Sequence, residues 1–535
     1  MAKELPSLMK LKSALYSSTY RSFVEQITNL EPNTLTDQVD CAANCHTKGC
    51  HLLCHDDVIG TRKVSYIIYL TDPDTTWTDE DGGRLELYDN FDDDDDDDDD
   101  DNKKGKSDKD EAIISNDGRK VPGVIPCKTI LPTFNSLAYF VVTPGVSFHS
   151  VQEVFCDRPR LSIQGWYHAK EAPSDIENAT LNRLKSTAKG EDTEGSFMPL
   201  SQIVDDGNEK KAAVAAAAAS SKDDDESLSP SDKSYLAKFL NPTYLQDKYI
   251  DEIRECFENE SSVQLRHFFN EEWSSKVKLA TSLMDENDKL GKDHRRPSSS
   301  VEYDVGVCDK WIPVGPAHKQ RFLEYVGDDD DDDVEDDTKD DSPSSTAGSL
   351  LCSMKRSVFE SDAFGRWLKS VTSLGMPEGH RGRVRRFRPG LDYTVAHYGI
   401  LTTSSVLDAT MCFVAGKGDQ CKYDEETGDL IGSDDDAIWD SGDVGGFECY
   451  IAADEGEGEE TEADDEYNED NDTKLLSVSA SDNTLSLVYR DPGTMRFVKY
   501  VGSGAPSSRW DLSLEYSVID DDDDEDEEGE KEDSE

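Results

Sequence analysis

Long apolar runs are missing from this sequence. No stretch approaches the roughly 18–20 apolar residues of a membrane-spanning helix, so no membrane partner is expected. The opening residues, MAKELPSLMKLKSALY, carry charges throughout and lack a continuous apolar core, which argues against a secretory leader. Positive charge is scarce: 56 Lys and Arg face 116 Asp and Glu, a formal net charge of -60. A grip on nucleic acid through its phosphates needs clustered Lys and Arg, so no direct nucleic-acid partner is expected. The one basic patch, RGRVRRFRP at residues 381–389, reads as a solvated strand edge ahead of an acidic-partner contact or a nuclear signal. The familiar paired CxxC spacing is absent too. Twelve cysteines without a leader read as reduced thiols. Cys41, Cys45, Cys50 and Cys54, with His46, His51 and His55 beside them, have the composition of a zinc site but not its usual spacing. The chain is expected to work in the cytoplasm, the nucleus or both.

What is present divides the 535 residues into ordinary folded stretches and acidic blocks. The blocks at 92–101, 328–333, 455–472 and 520–535 repel themselves and cannot bury enough apolar surface to offset ordering. Between residues 8 and 30, Leu8, Leu11, Leu15, Tyr16, Tyr20, Phe23 and Ile27 share one helical face. Seven short β-branched and aromatic runs follow: HLLCHD, KVSYIIYL, RLELYD, VIPCKTIL, SLAYFVVT, SFHSVQEV and RLSIQGWYH. With Gly, Pro and Asp punctuating them, they predict an antiparallel sandwich or jelly roll over residues 1–172, interrupted by a polar insert at 92–120. Residues 173–230, with the alanine run AAVAAAAA, read as a disordered linker. A helical lead-in (SYLAKFL, YIDEIRECF, VQLRHFF) opens a second unit, 231–518, whose β-rich part starts near Val358. That unit carries acidic inserts at 327–349 and 453–474, and an acidic tail follows at 519–535.

The two β regions read as repeats. SYIIYL leads to DEDGGRLELYD in the first, and DATMCFV leads to SGDVGGFECYIAADE in the second. Aligning Pro144-Gly145 on Pro492-Gly493 sets His149 against Phe497 and Arg160 near Asp511 or Arg509. The counterpart of His55-Asp56-Asp57 falls at AHYG, where Gly399 takes the aspartate position. The second copy thus keeps the strands and loses the polar constellation.

That constellation carries the chemistry. His55-x-Asp57 ends an apolar run, and such a pair is either a polar turn or two of three metal ligands. His149 supplies a third ligand from a distant strand. Two imidazoles and a carboxylate hold one face of a six-coordinate Fe(II) and leave adjacent positions open. Alternate residues at a strand end point to the same side, which selects Asp57 over Asp56. Arg160, eleven residues after His149, heads RLSIQGWY and is suited to a bidentate grip on a carboxylate; Arg158 competes for the role, and Tyr69 is placed to donate a further hydrogen bond.

The segments LLCHDD, YIIYL, GGRLELYD, PGVSFHSVQEV and RLSIQGWYH, with FLNPTYL and GGFECYIAADE later, resemble the ribosomal prolyl 3-hydroxylases, eukaryotic 2-oxoglutarate- and Fe(II)-dependent dioxygenases. The resemblance implies a mainly β fold with flanking helices (α+β). It comprises two double-stranded β-helix (jelly-roll, cupin-like) domains, only the first with an intact metal site. It implies iron on His55, Asp57 and His149, 2-oxoglutarate on Arg160 and Tyr69, O2 as second cosubstrate and ascorbate as reductant. It also implies a prolyl residue of a small-subunit ribosomal protein as substrate, with a role in translation termination and oxygen sensing. The family carries more chain ahead of the H-x-D strand than the 54 residues here, so fewer outer elements are expected around the pocket.

Overall fold

The structure is a computed structural model that describes residues 5–91, 121–186, 195–202, 228–291, 303–327, 343–415, 422–423, 430–431, 436–453 and 474–518. The acidic blocks, the inserts expected at 92–120 and over most of 327–349 and 453–474, the tail and the alanine run lie outside the described residues.

The N-terminal amphipathic stretch forms two helices rather than one, α1 (Pro6–Leu15) and α2 (Ser18–Ile27). Ser17 divides them: its hydroxyl accepts the Tyr20 amide and caps α2, satisfying a donor that a continuous helix would satisfy internally. Then come β1 (Leu35–Val39), β2 (Ala42–His46), β3 (Leu52–His55), β4 (Arg62–Tyr69), β5 (Leu85–Leu87), β6 (Asn90–Phe91), β7 (Val121–Pro122), β8 (Lys128–Ile130), β9 (Ser136–Val141), β10 (His149–Val151) and β11 (Arg160–Ala169). All seven expected runs contain a strand. Four strands were not expected: the two-residue β6 and β7, and β1 and β2, whose sequences LTDQV and AANCH have no apolar alternation. The strands form two larger antiparallel sheets, β1-β11-β4-β9 with β2 also on β11, and β3-β10-β5-β8, beside the two-stranded β6-β7. Odd-numbered β11 residues such as Ile163 and Tyr167 bury outward with Val64, Tyr66, Leu15 and Val24, the last two from the helices. The even-numbered face of β11 therefore looks inward, toward the other sheet.

The expected linker is partly built. Residues Ile176–Asn178 form a 3-10 turn and Thr180–Ser186 a helix, α3. Asp56, 2 % exposed, anchors this segment by accepting the Thr180 amide at 3.0 Å and the Gly145 amide at 3.1 Å. Met198 bridges to His380 and Ser201 to Ser361. A polar composition hid these contacts because they are made by the backbone.

The second region contains α4 (Pro230–Leu236), α5 (Asp247–Glu260), β12 (Ser262–Leu265), α6 (Glu271–Asn287), β13 (Trp311–Val314), β14 (Gln320–Tyr325), α7 (Pro343–Met354), α8 (Asp362–Thr372), β15 (Gly379–Phe387), β16 (Tyr393–Thr394), β17 (Val406–Phe413), the two-residue strands β18 (Lys422–Tyr423) and β19 (Leu430–Ile431), β20 (Glu448–Ala452), β21 (Lys474–Val478), β22 (Thr484–Arg490), β23 (Thr494–Val498) and β24 (Arg509–Ser517). VQLRHFF, expected helical, opens in a strand and continues in a turn: Ser261 closes α5 in a left-handed cap, and Ser262–Leu265 pairs with β22. The β-rich part starts at Trp311, well before Val358, which lies in a helical segment.

The basic patch is corrected more sharply. It is β15, an interior strand between β14 and β24. Arg385 donates to Asp511, Arg386 to Asp285 and Asp288, and Arg388 to Asp392 and the carbonyls of Tyr303 and Val305. Arg386 and Arg388 are fully buried. A buried guanidinium is tolerable only when its donors are met, and these partners lie up to 126 residues away in sequence. Only Asp392, four residues from Arg388, is local.

Strand pairing in the two regions corresponds. β11-β4-β9 and β10-β5 are matched by β24-β17-β22 and β23-β20, in the same chain order. Phe497 lies in β23 as His149 lies in β10, and Arg509 heads β24 as Arg160 heads β11. Among the described residues no helix is long and apolar enough to cross a membrane.

Candidate metal centre

β10 pairs with β3 so that His149 and His55 are cross-strand partners, and their rings stand 4.3 Å apart. The chain leaves β3 after His55, and Asp57 adopts a left-handed backbone (φ 63°). Asp57 reaches the histidines through this turn and not through strand alternation, the geometry the sequence suggested. Its Oδ1 lies 3.1 Å from His55 Nε2 and its Oδ2 3.5 Å from His149 Nε2. Asp56 points away, to the amides already described. One ligand atom from each of His55, Asp57 and His149 lies within 4.8 Å of the others, and no other such group of His, Cys, Asp and Glu occurs among the described residues. Cys41, Cys45, Cys50 and Cys54 do not converge: Cys45 is exposed, Cys54 is buried, and His51 stacks on Tyr500 instead.

The tautomers follow from the partners. His55 Nδ1 sits 2.7 Å from the Leu53 carbonyl and His149 Nδ1 2.8 Å from the Ser147 carbonyl. Carbonyls only accept, so each Nδ1 carries a proton and each Nε2 is turned toward Asp57, where a bound cation would take its lone pair. Trp166 Nε1–H donates to Asp57 Oδ2 at 3.0 Å and fixes the carboxylate. Burial opposes the charge on Asp57, but the His55 hydrogen bond and the two imidazoles outweigh it and hold this carboxyl far below its usual range. Burial alone lowers the His55 pKa, but Asp57 reverses the sign and raises it. His149 is pushed down to about 4 by burial and by the charge of His55. One carboxylate on which two imidazole Nε2 atoms converge fits a divalent metal, whose charge would take the place of the proton shared between His55 and Asp57.

A second orphaned set lies on the inner face of β11. Arg160 is 1 % exposed; its Nε–H donates to the Gly83 carbonyl at 2.7 Å, while Nη1 and Nη2 have no partner. Tyr69 Oη, Ser162 Oγ and Asn44 Nδ2 are also buried and unpartnered. Ser162 is the cross-strand partner of both Tyr69 and Asn44, so the four side chains share one face with Trp166. An isolated buried guanidinium costs several kcal/mol, by the order of magnitude usual for buried ions, and a bound carboxylate removes that cost. Arg158 is not available: it is paired with Asp81 at 2.7 Å and donates to the Thr75 carbonyl. Asn44, Ser162 and Trp166 were not singled out in the sequence, although the i, i+2 spacing from Arg160 marks Ser162.

Residues 41–168 match the model of the 2OG-Fe(II) oxygenase superfamily, and residues 231–525 match that described as oxoglutarate and iron-dependent oxygenase degradation C-term. The chain is also 36% identical to a prolyl 3,4-dihydroxylase, OGFOD1, of Ostreococcus tauri, over 96% of this chain and 84% of that protein. The chain belongs to this family of 2-oxoglutarate- and iron-dependent oxygenases. Another relative is the prolyl 3-hydroxylase sudestada1 of Drosophila melanogaster, 26% identical over 91% of this chain and 68% of that protein. Among solved structures, a Trichoplax adhaerens prolyl hydroxylase in complex with a hypoxia inducible factor peptide is 12% identical over 50% of this chain and 89% of that chain, with a TM-score of 0.26. The family implies Fe(II), 2-oxoglutarate and O2, and the donor set and the orphaned guanidinium fit them.

Proposed function

We propose that this protein is an Fe(II)- and 2-oxoglutarate-dependent prolyl hydroxylase, with His55, Asp57 and His149 as the iron ligands and Arg160 and Tyr69 as the cosubstrate's anchors. The observation that carries the reading is the conjunction of two sites in one β region: a carboxylate facing two imidazole Nε2 atoms, and a buried guanidinium with a free fork. When bound, Fe(II) with 2-oxoglutarate and O2 supplies the oxidation, in which the oxo acid loses CO2 to become succinate and one oxygen atom enters a prolyl C–H bond. The chain's own residues bind and orient. The Leu53 and Ser147 carbonyls hold each Nε2 toward the metal, Trp166 holds the Asp57 carboxylate, and Arg160 takes the far carboxylate of 2-oxoglutarate. Phe140, whose ring is 4.6 Å from His149, shields that imidazole. Ascorbate is the proposed reductant that keeps the iron ferrous.

The finer reading is 3-hydroxylation of a proline in a small-subunit ribosomal protein, affecting translation accuracy and termination. It is supported by the resemblance of the site segments to the ribosomal prolyl 3-hydroxylases and by the names of the relatives. We further propose that the second β region is a non-catalytic β-helix without its own metal, since Phe497 and Gly399 stand where ligands would be needed. The test is mass spectrometry of a proline-containing, basic ribosomal-protein peptide incubated with protein, Fe(II) and 2-oxoglutarate. A gain of one oxygen on proline with matching succinate, both lost in His149→Ala, is expected; a second oxygen would mean dihydroxylation. Succinate release that no prolyl peptide stimulates would overturn the substrate class.

A further inference from the structure

Arg160 does not orient itself. Its Nε–H is tied to the Gly83 carbonyl at 2.7 Å, and the Gly83 amide in turn donates to the Glu153 carbonyl at 3.0 Å. No side chain cushions this contact. Gly82 and Gly83 have φ of 70° and 66°; a Cβ on Gly82 would lie 2.2 Å from the Glu153 carbonyl oxygen, and one on Gly83 2.7 Å from Arg160 Cδ. Backbone bonds from Gln152 to Arg84 and from Phe155 to Asp81, each 2.9 Å, zip the two segments on either side. Any displacement of Glu153 therefore moves Gly83, and Gly83 moves the guanidinium.

What holds Glu153 comes from the other β region. Its carboxylate is 3 % exposed and accepts three bonds across the interface: the Ser503 amide at 2.7 Å, the Ser503 hydroxyl at 2.8 Å and the Tyr500 hydroxyl at 3.3 Å. A buried carboxylate with three donors is anchored; without them it would be forced to seek water. His51 stacks on the same Tyr500 ring with centroids 3.9 Å apart, which fixes the donor's position.

We propose that Glu153, clamped by Ser503 and Tyr500 of the second β region, is a positioning residue that sets the Arg160 guanidinium for the far carboxylate of 2-oxoglutarate. The proposal rests on the reading of Arg160 as cosubstrate anchor, and it gives the second region a share in cosubstrate binding without a metal or substrate contact of its own. The full chain, loaded with Mn(II) in place of Fe(II), is titrated by calorimetry with 2-oxoglutarate and with 2-oxobutanoate, which chelates identically but lacks the far carboxylate. Loss of an outer-shell partner costs about tenfold or more in affinity, so Glu153→Ala is expected to raise the 2-oxoglutarate Kd by about that factor. It is expected to leave the 2-oxobutanoate Kd unchanged, and Glu153→Gln, which keeps the acceptor for the Ser503 amide, is expected to restore most of the loss. Equal weakening of both ligands, or no change in either, would overturn the clamp. Should Glu153→Ala not fold, the Ser503→Ala, Tyr500→Phe pair reads the same selectivity with a smaller shift, and its absence counts against the proposal equally. Arg160→Met separates the two layers: a 2-oxoglutarate Kd untouched by that change would remove the anchor itself.

Discussion

Two adjacent aspartates in the site do different work, and their substitution separates metal binding from folding. Asp57 faces both imidazoles, so Asp57→Ala is expected to weaken iron binding beyond the roughly 10–100-fold that loss of an outer partner costs, with little change in melting temperature. Asp56 instead satisfies the amides of Val58, Gly145 and Thr180. Asp56→Ala strands three donors and is expected to cost about 2–4 kcal/mol in chemical denaturation, at about 1–3 kcal/mol for each unmet buried group with partial relaxation. If the two variants exchange phenotypes, the ligand assignment is wrong. The arginines offer a parallel contrast: Arg158→Met breaks the Asp81 pair and leaves 2-oxoglutarate affinity intact, whereas Arg160→Met removes it. His55, His149 and Arg160 were legible because H-x-D, a distal histidine and a later arginine each head or end an apolar run. Asn44, Ser162 and Trp166 were not: a small polar residue or a tryptophan within a strand has many uses, and only cross-strand register puts these beside Arg160 and Asp57.

At the scale of elements, the second β region has filled its interior with charge. Arg496 donates to Glu448 and approaches Asp408, Arg490 pairs with Asp408 and Glu515, and Arg385 with Asp511. Such a network is stable only while complete. Arg388→Met would leave Asp392 charged at full burial and is expected to cost about 3–5 kcal/mol, the range for breaking one side of a buried pair. Glu448 gives a pH signature. Burial opposes its charge, but Arg496, Arg509 and Arg385 win and lower its pKa from 4.5 to about 2. Because the folded pKa lies below the unfolded one, its stabilisation is present above the unfolded value and is lost as pH falls from 4.5 toward about 2. Denaturation midpoints should drop over that window, and Glu448→Gln should flatten the drop; an unchanged acid limb would refute the pairing. The same elements explain one misreading of the sequence. Five arginines in nine residues look solvated, because a sequence shows charge density but not the acids that the fold brings from Asp285 or Asp511. Strands were legible where apolar residues alternate, as in β4 and β11, and illegible where polar residues pair by backbone alone, as in β1 and β2.

At the scale of the whole molecule, the two β regions repeat a strand order but differ in the polar groups they bury. The first holds the His55, Asp57 and His149 group; the second holds the buried arginine and carboxylate pairs and reaches across through Ser503, Tyr500 and Arg321, whose guanidinium lies 3.5 Å from Tyr88 Oη. The shared buried contacts predict a single calorimetric unfolding transition for the full chain, and two separated transitions would contradict the interface. The proposed division, with one metal site in the first region, also fixes what the most direct experiment must find. Anaerobic titration of the purified protein with Fe(II), read by metal analysis with and without 2-oxoglutarate, tests the central claim that one His-Asp-His centre serves the whole chain. The account predicts one iron per chain, tighter in the presence of 2-oxoglutarate, lost in His149→Ala and deprived of its cosubstrate effect in Arg160→Met. Iron that survives His149→Ala, or a chain that binds none, would contradict it.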